Sequence, residues 1–207
     1  VIGGKNKYDR SFDYFSNKFY GIQLGVDRNI GGDFGWTLGA AFSYIDGDAK
    51  LANGGKDDNY LGSFSLYATK QFENACYLDL IAKFSRMHND FTAVSNDRVY
   101  FSKGKYSTNA FQLGVEYGKR FTFGQNWFVD PQVQLTYGHI NKVSYKTDTG
   151  VNAKVKDINS LIGRVGVGGG YQNDKLSAFV KVDALRDFTA KYKADYQVEN
   201  VRNHSTE

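Results

Sequence analysis

Residues 106–142 constrain the fold of this chain more than any other stretch: YSTNAFQLGVEYGKRFTFGQNWFVDPQVQLTYGHINK. In steps of two, Phe111, Leu113, Val115 and Tyr117 share one face. Ala110, Gln112, Gly114, Glu116 and Gly118 share the other. A short turn follows at Gly124, Gln125 and Asn126. Val129, Pro131, Val133, Leu135 and Tyr137 then oppose Asp130, Gln132, Gln134, Thr136 and Gly138. Successive side chains of a strand point to opposite sides, so the pattern predicts a hairpin with one apolar face and one wet face. Two settings accommodate it. In a soluble sandwich the apolar face packs on a second sheet. In an outer-membrane barrel it faces lipid, and the polar face lines a pore.

Composition narrows the choice. The chain has 207 residues, with Tyr 15, Phe 16 and Gly 23 but only Pro 1 and Met 1. Aromatic-rich, glycine-rich usage of this kind belongs to β proteins. A hydrophobic fraction of 41% and a mean hydropathy of −0.50 leave both settings open, because a membrane-spanning strand needs only alternate residues apolar. No apolar run approaches the roughly 18 residues of a transmembrane helix. The net charge of +4 is spread along the chain without a basic block, so no nucleic-acid partner is expected. The single Cys76 excludes an internal disulfide and a cysteine metal cluster, and it falls in an expected turn. His88, His139 and His204 lack metal-ligand spacing, and no cofactor motif is present. The chain opens on Val1, Ile2, Gly3 and Gly4 as if in mid-strand, and is expected to be part of a longer protein.

Taken in order, residues 1–4 read as the end of a strand and 5–16 as a loop. Alternating strands are expected over 19–29, 36–44, 60–72 and 77–91, with the alternation fading past Arg86. After the hairpin, strands are expected over 158–172 and 176–193, and 194–207 reads as a polar tail without a strand partner. The connections at 30–35, 73–76, 124–126 and 173–175 are short. Those at 5–16, 46–59, 92–105 and 143–157 are long and polar. Strict alternation of this kind puts the short turns at one end and the long loops at the other, as in outer-membrane barrels. Most strands also reach the roughly 9–11 residues that cross a bilayer when tilted, against about five or six in soluble sheets. Phe34, Trp36, Phe72, Tyr77, Phe121, Phe123, Trp127, Phe128 and Tyr171 gather beside the short turns, where an interfacial girdle belongs.

The segments YGIQLGVD (20–27), WTLGAAFSYIDGDA (36–49), LYATKQF (66–72), CYLDLIAKFSRMHNDF (76–91), FQLGVEYGKRF (111–121), WFVDPQVQLTYG (127–138) and AFVKVDALRDF (178–188) together resemble the β-domain of classical autotransporters, the translocator of type V secretion. The resemblance covers nearly the whole chain and implies a single domain over 1–207. It implies an all-β, antiparallel up-and-down transmembrane β-barrel, with about nine of its twelve strands in this chain. The pore helix, most of the first strand and the last three strands are not in these residues. It further implies a place in the bacterial outer membrane, in contact with outer-membrane lipid. The expected role is export of an N-terminal passenger, with the passenger and the barrel-assembly machinery as partners. Another outer-membrane barrel (porin or adhesin-like) and a soluble all-β binding module are the alternatives.

On the face that must then point inward lie Asp27, Asp79, Lys83, Glu116, Asp130, Gln132, Gln134, Arg164, Lys181 and Asp183. An Arg or Lys facing lipid at mid-depth costs about 2–4 kcal/mol, so these charges are expected to line the lumen. Glu116 and Asp130 are the carboxylates to consider for acid–base chemistry, since some autotransporters cleave their own linker inside the barrel. No linker or scissile residue is at hand here, and no Ser-His-Asp pattern is visible. No enzymatic activity is expected. The glycine row 166–170 lacks the Lys and Ser/Thr of a phosphate loop and reads as room inside the lumen.

Overall fold

The computed structural model describes residues 1–10, 13–173, 176–189, 193–198 and 201–206. The strands are β1 (Ile2–Arg10), β2 (Asp13–Ile30), β3 (Trp36–Leu51), β4 (Lys56–Gln71), β5 (Cys76–Val94), β6 (Phe101–Lys119), β7 (Phe121–Phe123), β8 (Trp127–Ile140), β9 (Val143–Lys146), β10 (Asn152–Val155), β11 (Ile158–Gln172), β12 (Ser177–Asp187), β13 (Lys193–Val198) and β14 (Val201–Thr206). One antiparallel sheet runs β1-β2-β3-β4-β5-β6-β8-β11-β12, with the short β7 paired only to β8. Every neighbour on this path is next in sequence, apart from the small strands, so the topology is up-and-down. These nine strands are the nine that the sequence leads one to expect. β1 pairs only with 13–21 of β2, which leaves 22–30 of β2 along one edge of the sheet.

The faces fall as the alternation requires, but the burial is inverted relative to a soluble sheet. The polar face is the closed one: Ser43 is 4%, Ser63 3%, Ser85 8% and Gln132 8% exposed. The apolar face is open: Leu24 is 69%, Val26 77%, Phe64 50% and Leu66 54% exposed. Side chains converge on the concave side of a curled sheet and splay on the convex side. The polar face is therefore concave and the apolar face convex. Among the described residues, no large side chain is fully buried. A sheet of this size without an apolar core is stable only where its convex face meets an apolar solvent.

That face is bounded at both ends. Near the short turns, Lys70 lies over the rings of Trp36 (5.4 Å) and Phe72 (5.6 Å), and Lys119 lies over Phe121 (5.2 Å). Trp127 meets Tyr171 edge-on at 5.2 Å. These are aromatics at a headgroup boundary, with ammonium groups reaching back to water. At the other end, Phe42, Phe64, Phe84 and Phe111 stand opposite one another on four adjacent strands. Above them Tyr44 stacks on Tyr60 (6.2 Å) and Tyr60 on His88 (4.9 Å). Along β4 the stretch from Lys70 to Tyr60 is ten steps, or roughly 33 Å of strand and ~25 Å of depth at a 45° tilt, the height of a barrel's apolar band. The second girdle was not read from the sequence.

All four expected long loops are corrected, 143–157 because it forms the β9–β10 hairpin. Strand pairing continues through most of 5–16, 46–59 and 92–105, so the connections shrink to 52–55 and 95–100. Residues 11–12 lie outside the described residues, as do 174–175 of the expected turn at 173–175. Beyond the bilayer both faces of a strand meet water. Polar residues then occupy both, the period of two disappears, and the ladder persists without its sequence signal. The asymmetry between the ends is thus one of protruding hairpins rather than of long loops. The expectation for 194–207 is corrected too. β13 pairs with β10 and β14, giving a small sheet β14-β13-β10-β9, while Glu207 lies outside the described residues. Cys76 is the first residue of β5 and is 5% exposed.

The inverted burial predicts that Leu66→Arg destabilises the protein folded in vesicles by about 2–4 kcal/mol, whereas Ser65→Arg on the concave face costs far less. Urea unfolding of both variants checks this, and equal losses would show that the faces are assigned wrongly.

Candidate functional site

A cavity of about 670 Å³ is lined mostly by apolar side chains, Leu38, Leu66, Leu80, Leu113, Leu135 and Leu161 among them. These six leucines belong to the convex face, where the groove suits acyl chains. The chemistry lies on the concave face. There the strand register lines up Asp79, Glu116, Gln134 and Arg164 across β5, β6, β8 and β11. Two residues nearer the short turns it lines up Tyr77, Gly118, Gln132, Gly166 and Asp183.

Seven of the ten expected residues take part in one charged ladder or stand in line with it. Arg164 donates to Glu116 and also sits 3.5 Å from Asp183. Lys181 lies 3.7 Å from Asp183 and donates to Gln132 Oε1 at 2.6 Å. Glu116 also accepts the Tyr77 hydroxyl at 3.2 Å. Gln134 is in register between Glu116 and Arg164, and Asp79 stands opposite Glu116. The other three lie apart. Asp130 pairs with Arg120 at 3.2 Å, nearer the short turns. Asp27 accepts the Tyr67 hydroxyl at 3.0 Å. Lys83 is in register between Ser65 and Gln112. Asp79 and Asp130 face a second cavity of about 330 Å³, with Thr69, Gln71, Tyr77 and Arg120 around it. One carboxylate oxygen of each is buried and has no hydrogen-bond partner among the described residues.

Sequence reasoning missed three members: Tyr67, Tyr77 and Arg120. The two tyrosines lie on the polar face beside glycines, and that is the signal. The Tyr67 ring covers Gly39 and the Tyr77 ring covers Gly118, so a Cβ at either glycine would overlap the ring. Each glycine lets an aromatic ring lie flat against the neighbouring strand and aim its hydroxyl at a carboxylate. Arg120 stacks its guanidinium over Phe128 at 4.3 Å while it pairs with Asp130. It sits at a turn, where no alternation marks it.

At the opposite end the β9–β10 hairpin leans over the concave side. Its turn is tied to the start of β6 by Asp148, which accepts the Lys103 N–H at 2.7 Å, and by Ser102 and Thr149 at 2.8 Å. Tyr145 packs against Phe91 (5.6 Å) and Tyr106 (5.1 Å). Nearby, burial pushes the Asp57 carboxyl up, partly offset by the Asn59 amide that donates to it at 3.0 Å.

A curled up-and-down sheet with aromatic girdles on its apolar face and a charged ladder on its polar face is the architecture of an outer-membrane barrel. Residues 1–200 match the family described as the autotransporter beta-domain. The chain belongs to this family. It is 28% identical over 192 residues to the pertactin autotransporter of Bordetella parapertussis, covering 88% of this chain and 20% of that protein. It is 35% identical over 161 residues to the serine protease EspC of Escherichia coli O127:H6, covering 74% of this chain and 12% of that protein. The chain thus spans a fifth or less of the length of these relatives. In fold it is similar to the beta domain of the Bordetella autotransporter Brka, with TM-score 0.75, 19% identity and coverage of 90% of this chain and 80% of that one. It is also similar to the translocator domain of NalP from Neisseria meningitidis, with TM-score 0.72, 15% identity and coverage of 96% and 75%. The autotransporter β-domain described here is an outer-membrane translocator barrel that serves passenger export.

The ladder predicts a specific non-additivity. Arg164→Met deprives Glu116 and Asp183 of their shared partner and is expected to cost about 1.5–3 kcal/mol in urea unfolding. Glu116→Gln in that background is expected to cost much less than Glu116→Gln alone. Additive losses would show that the two side chains do not interact.

Proposed function

We propose that residues 1–207 act as one domain whose concave face lines a hydrated lumen, and that this lumen holds a polar segment of the same polypeptide. Asp27, Asp79, Lys83, Glu116, Asp130, Gln132, Gln134, Arg164, Lys181 and Asp183 are its contact residues. The observation that carries the reading is that Asp79 and Asp130, each with one buried and unpartnered carboxylate oxygen among the described residues, line one cavity. Buried acceptors of this kind are costly unless a donor reaches them. A lumenal segment with amide or cationic side chains supplies such donors. The ladder beside them is already neutralised internally, so it presents polar atoms without strong net charge and lets an extended chain pass without trapping it.

On this reading the domain does no covalent chemistry. Glu116 is engaged by Tyr77 and Arg164, and Asp130 by Arg120, which supports structural roles for both carboxylates. Passenger folding outside the cell drives export, with no nucleotide involved. The convex apolar face aggregates in water, so delivery to the bilayer falls to the barrel-assembly machinery, and outer-membrane lipid is its final partner.

Disulfide trapping tests the lumen. In the full-length protein with Cys76→Ser, Asp130→Cys paired with single cysteines along the segment preceding Val1 is expected to cross-link at a few adjacent positions in outer membranes. Cross-linking at none of them, while the barrel still migrates faster unboiled than boiled, would contradict an occupied lumen.

A further inference from the structure

Outside the membrane band the convex face carries an organised charge pattern that export does not use. Lys18, Asp48, Asp58, Asp90 and Lys105 stand directly opposite one another on β2 to β6. The next row outward is Ser16, Lys50, Lys56, Thr92 and Lys103. All five lysines and all three aspartates are exposed. The row just inside, toward the bilayer, is Tyr20, Asp46, Tyr60, His88 and Ser107, part of the upper aromatic boundary. The pattern therefore sits where lipid headgroups begin, on the side that faces lipid.

Two features set this band apart from an ordinary solvated surface. First, like charges directly opposite on neighbouring strands repel, yet three carboxylates occupy adjacent strands in one row. Second, the cations that would relieve them stand in reach by register, at the row's ends and two residues along the same strands, yet none of the five ammonium groups is held in an ion pair among the described residues. The lysines ring the aspartates and leave a net charge of +2 over the eight charged groups. An array of free ammoniums around carboxylates is complementary to phosphate groups cross-linked by divalent cations. Lysine meets phosphate, and the carboxylate shares the bridging cation.

We propose that Lys18, Lys50, Lys56, Lys103 and Lys105, together with Asp48, Asp58 and Asp90, form a docking surface for phosphorylated lipid headgroups of the outer leaflet. The proposal rests on the convex face meeting lipid, and it adds the headgroup chemistry and the residues that read it. The patch lies on the first strands of the sheet, on the opposite side of the wall from the lumenal ladder. It anchors the protruding hairpins to the membrane surface rather than acting on the passenger.

The test uses full-length protein folded in uncharged detergent. The probe is a bisphosphorylated glucosamine-disaccharide lipid, compared with the same lipid after enzymatic removal of both phosphates, each in the presence of Mg2+. Native mass spectrometry is expected to show retention of the phosphorylated lipid at least ten-fold above that of the dephosphorylated form. Each lysine near a charged headgroup layer contributes about five-fold, so Lys50→Gln, Lys56→Gln and Lys103→Gln combined are expected to remove most of that difference. The matching Lys→Arg variant is expected to keep it. Equal retention of the two lipids by the unaltered protein overturns the proposal, as does a Gln variant that folds and still discriminates. If the Gln variant does not fold, the lipid comparison on unaltered protein and the loss of that difference in about 0.5 M salt, where charge interactions are screened, decide the matter alone. Failure of the barrel reading is separate: it appears as protein that shows no heat-dependent mobility shift at all.

Discussion

Everything in this molecule depends on which solvent each face of the sheet meets. In water a curled sheet buries its large apolar side chains and exposes its polar ones. Here Ser43, Ser63, Ser85 and Gln132 are enclosed, while Leu24, Val26, Phe64 and Leu66 point outward. Hydrogen bonding explains why strands tolerate this arrangement. Each interior strand gives its backbone donors and acceptors to its neighbours, so the convex surface presents only side chains to lipid. The two aromatic boundaries then fix the depth of the sheet in the bilayer, with Trp36, Phe72 and Phe121 near the short turns and Tyr44, Tyr60 and His88 near the protruding hairpins.

The inverted surface leaves the concave side to be organised by polar contacts instead of packing. Arg164 links Glu116 to Asp183, and Lys181 carries the connection on to Gln132. Glycines at 39 and 118 admit the rings of Tyr67 and Tyr77, which hand hydroxyl donors to Asp27 and Glu116. Side chains therefore tie together strands that share no apolar core, and they do so at the wall of the lumen. Asp79 and Asp130 line a separate cavity of about 330 Å³ beside this network.

Strand identity and face assignment were legible because the bilayer enforces a period of two. Between the girdles, a residue of the wrong polarity is costly at every position, so Phe111 to Tyr117 and Val129 to Tyr137 carry the fold in plain sight. Outside the girdles that pressure ends. The pairings Asp48 with Asp58 and Asp58 with Asp90 are as regular as any in the sheet, yet nothing in their polarity announces a strand. The β10–β13 pairing joins residues 39 to 45 apart in sequence (Val155 with Ala194, Asn152 with Gln197) and leaves no local trace. Arg120 was hidden for a related reason: its role comes from a turn and a neighbouring ring rather than from alternation.

The most direct test is the accessibility of single nitroxide labels placed in turn at residues 63–69 of β4, in Cys76→Ser full-length protein in native-like bilayers. The account predicts a period of two: labels at 64, 66 and 68 collide with oxygen dissolved in lipid, and those at 63, 65, 67 and 69 collide with a water-soluble nickel chelate. The reverse phase, or no periodicity along the strand, would contradict a convex lipid-facing surface and a hydrated concave one.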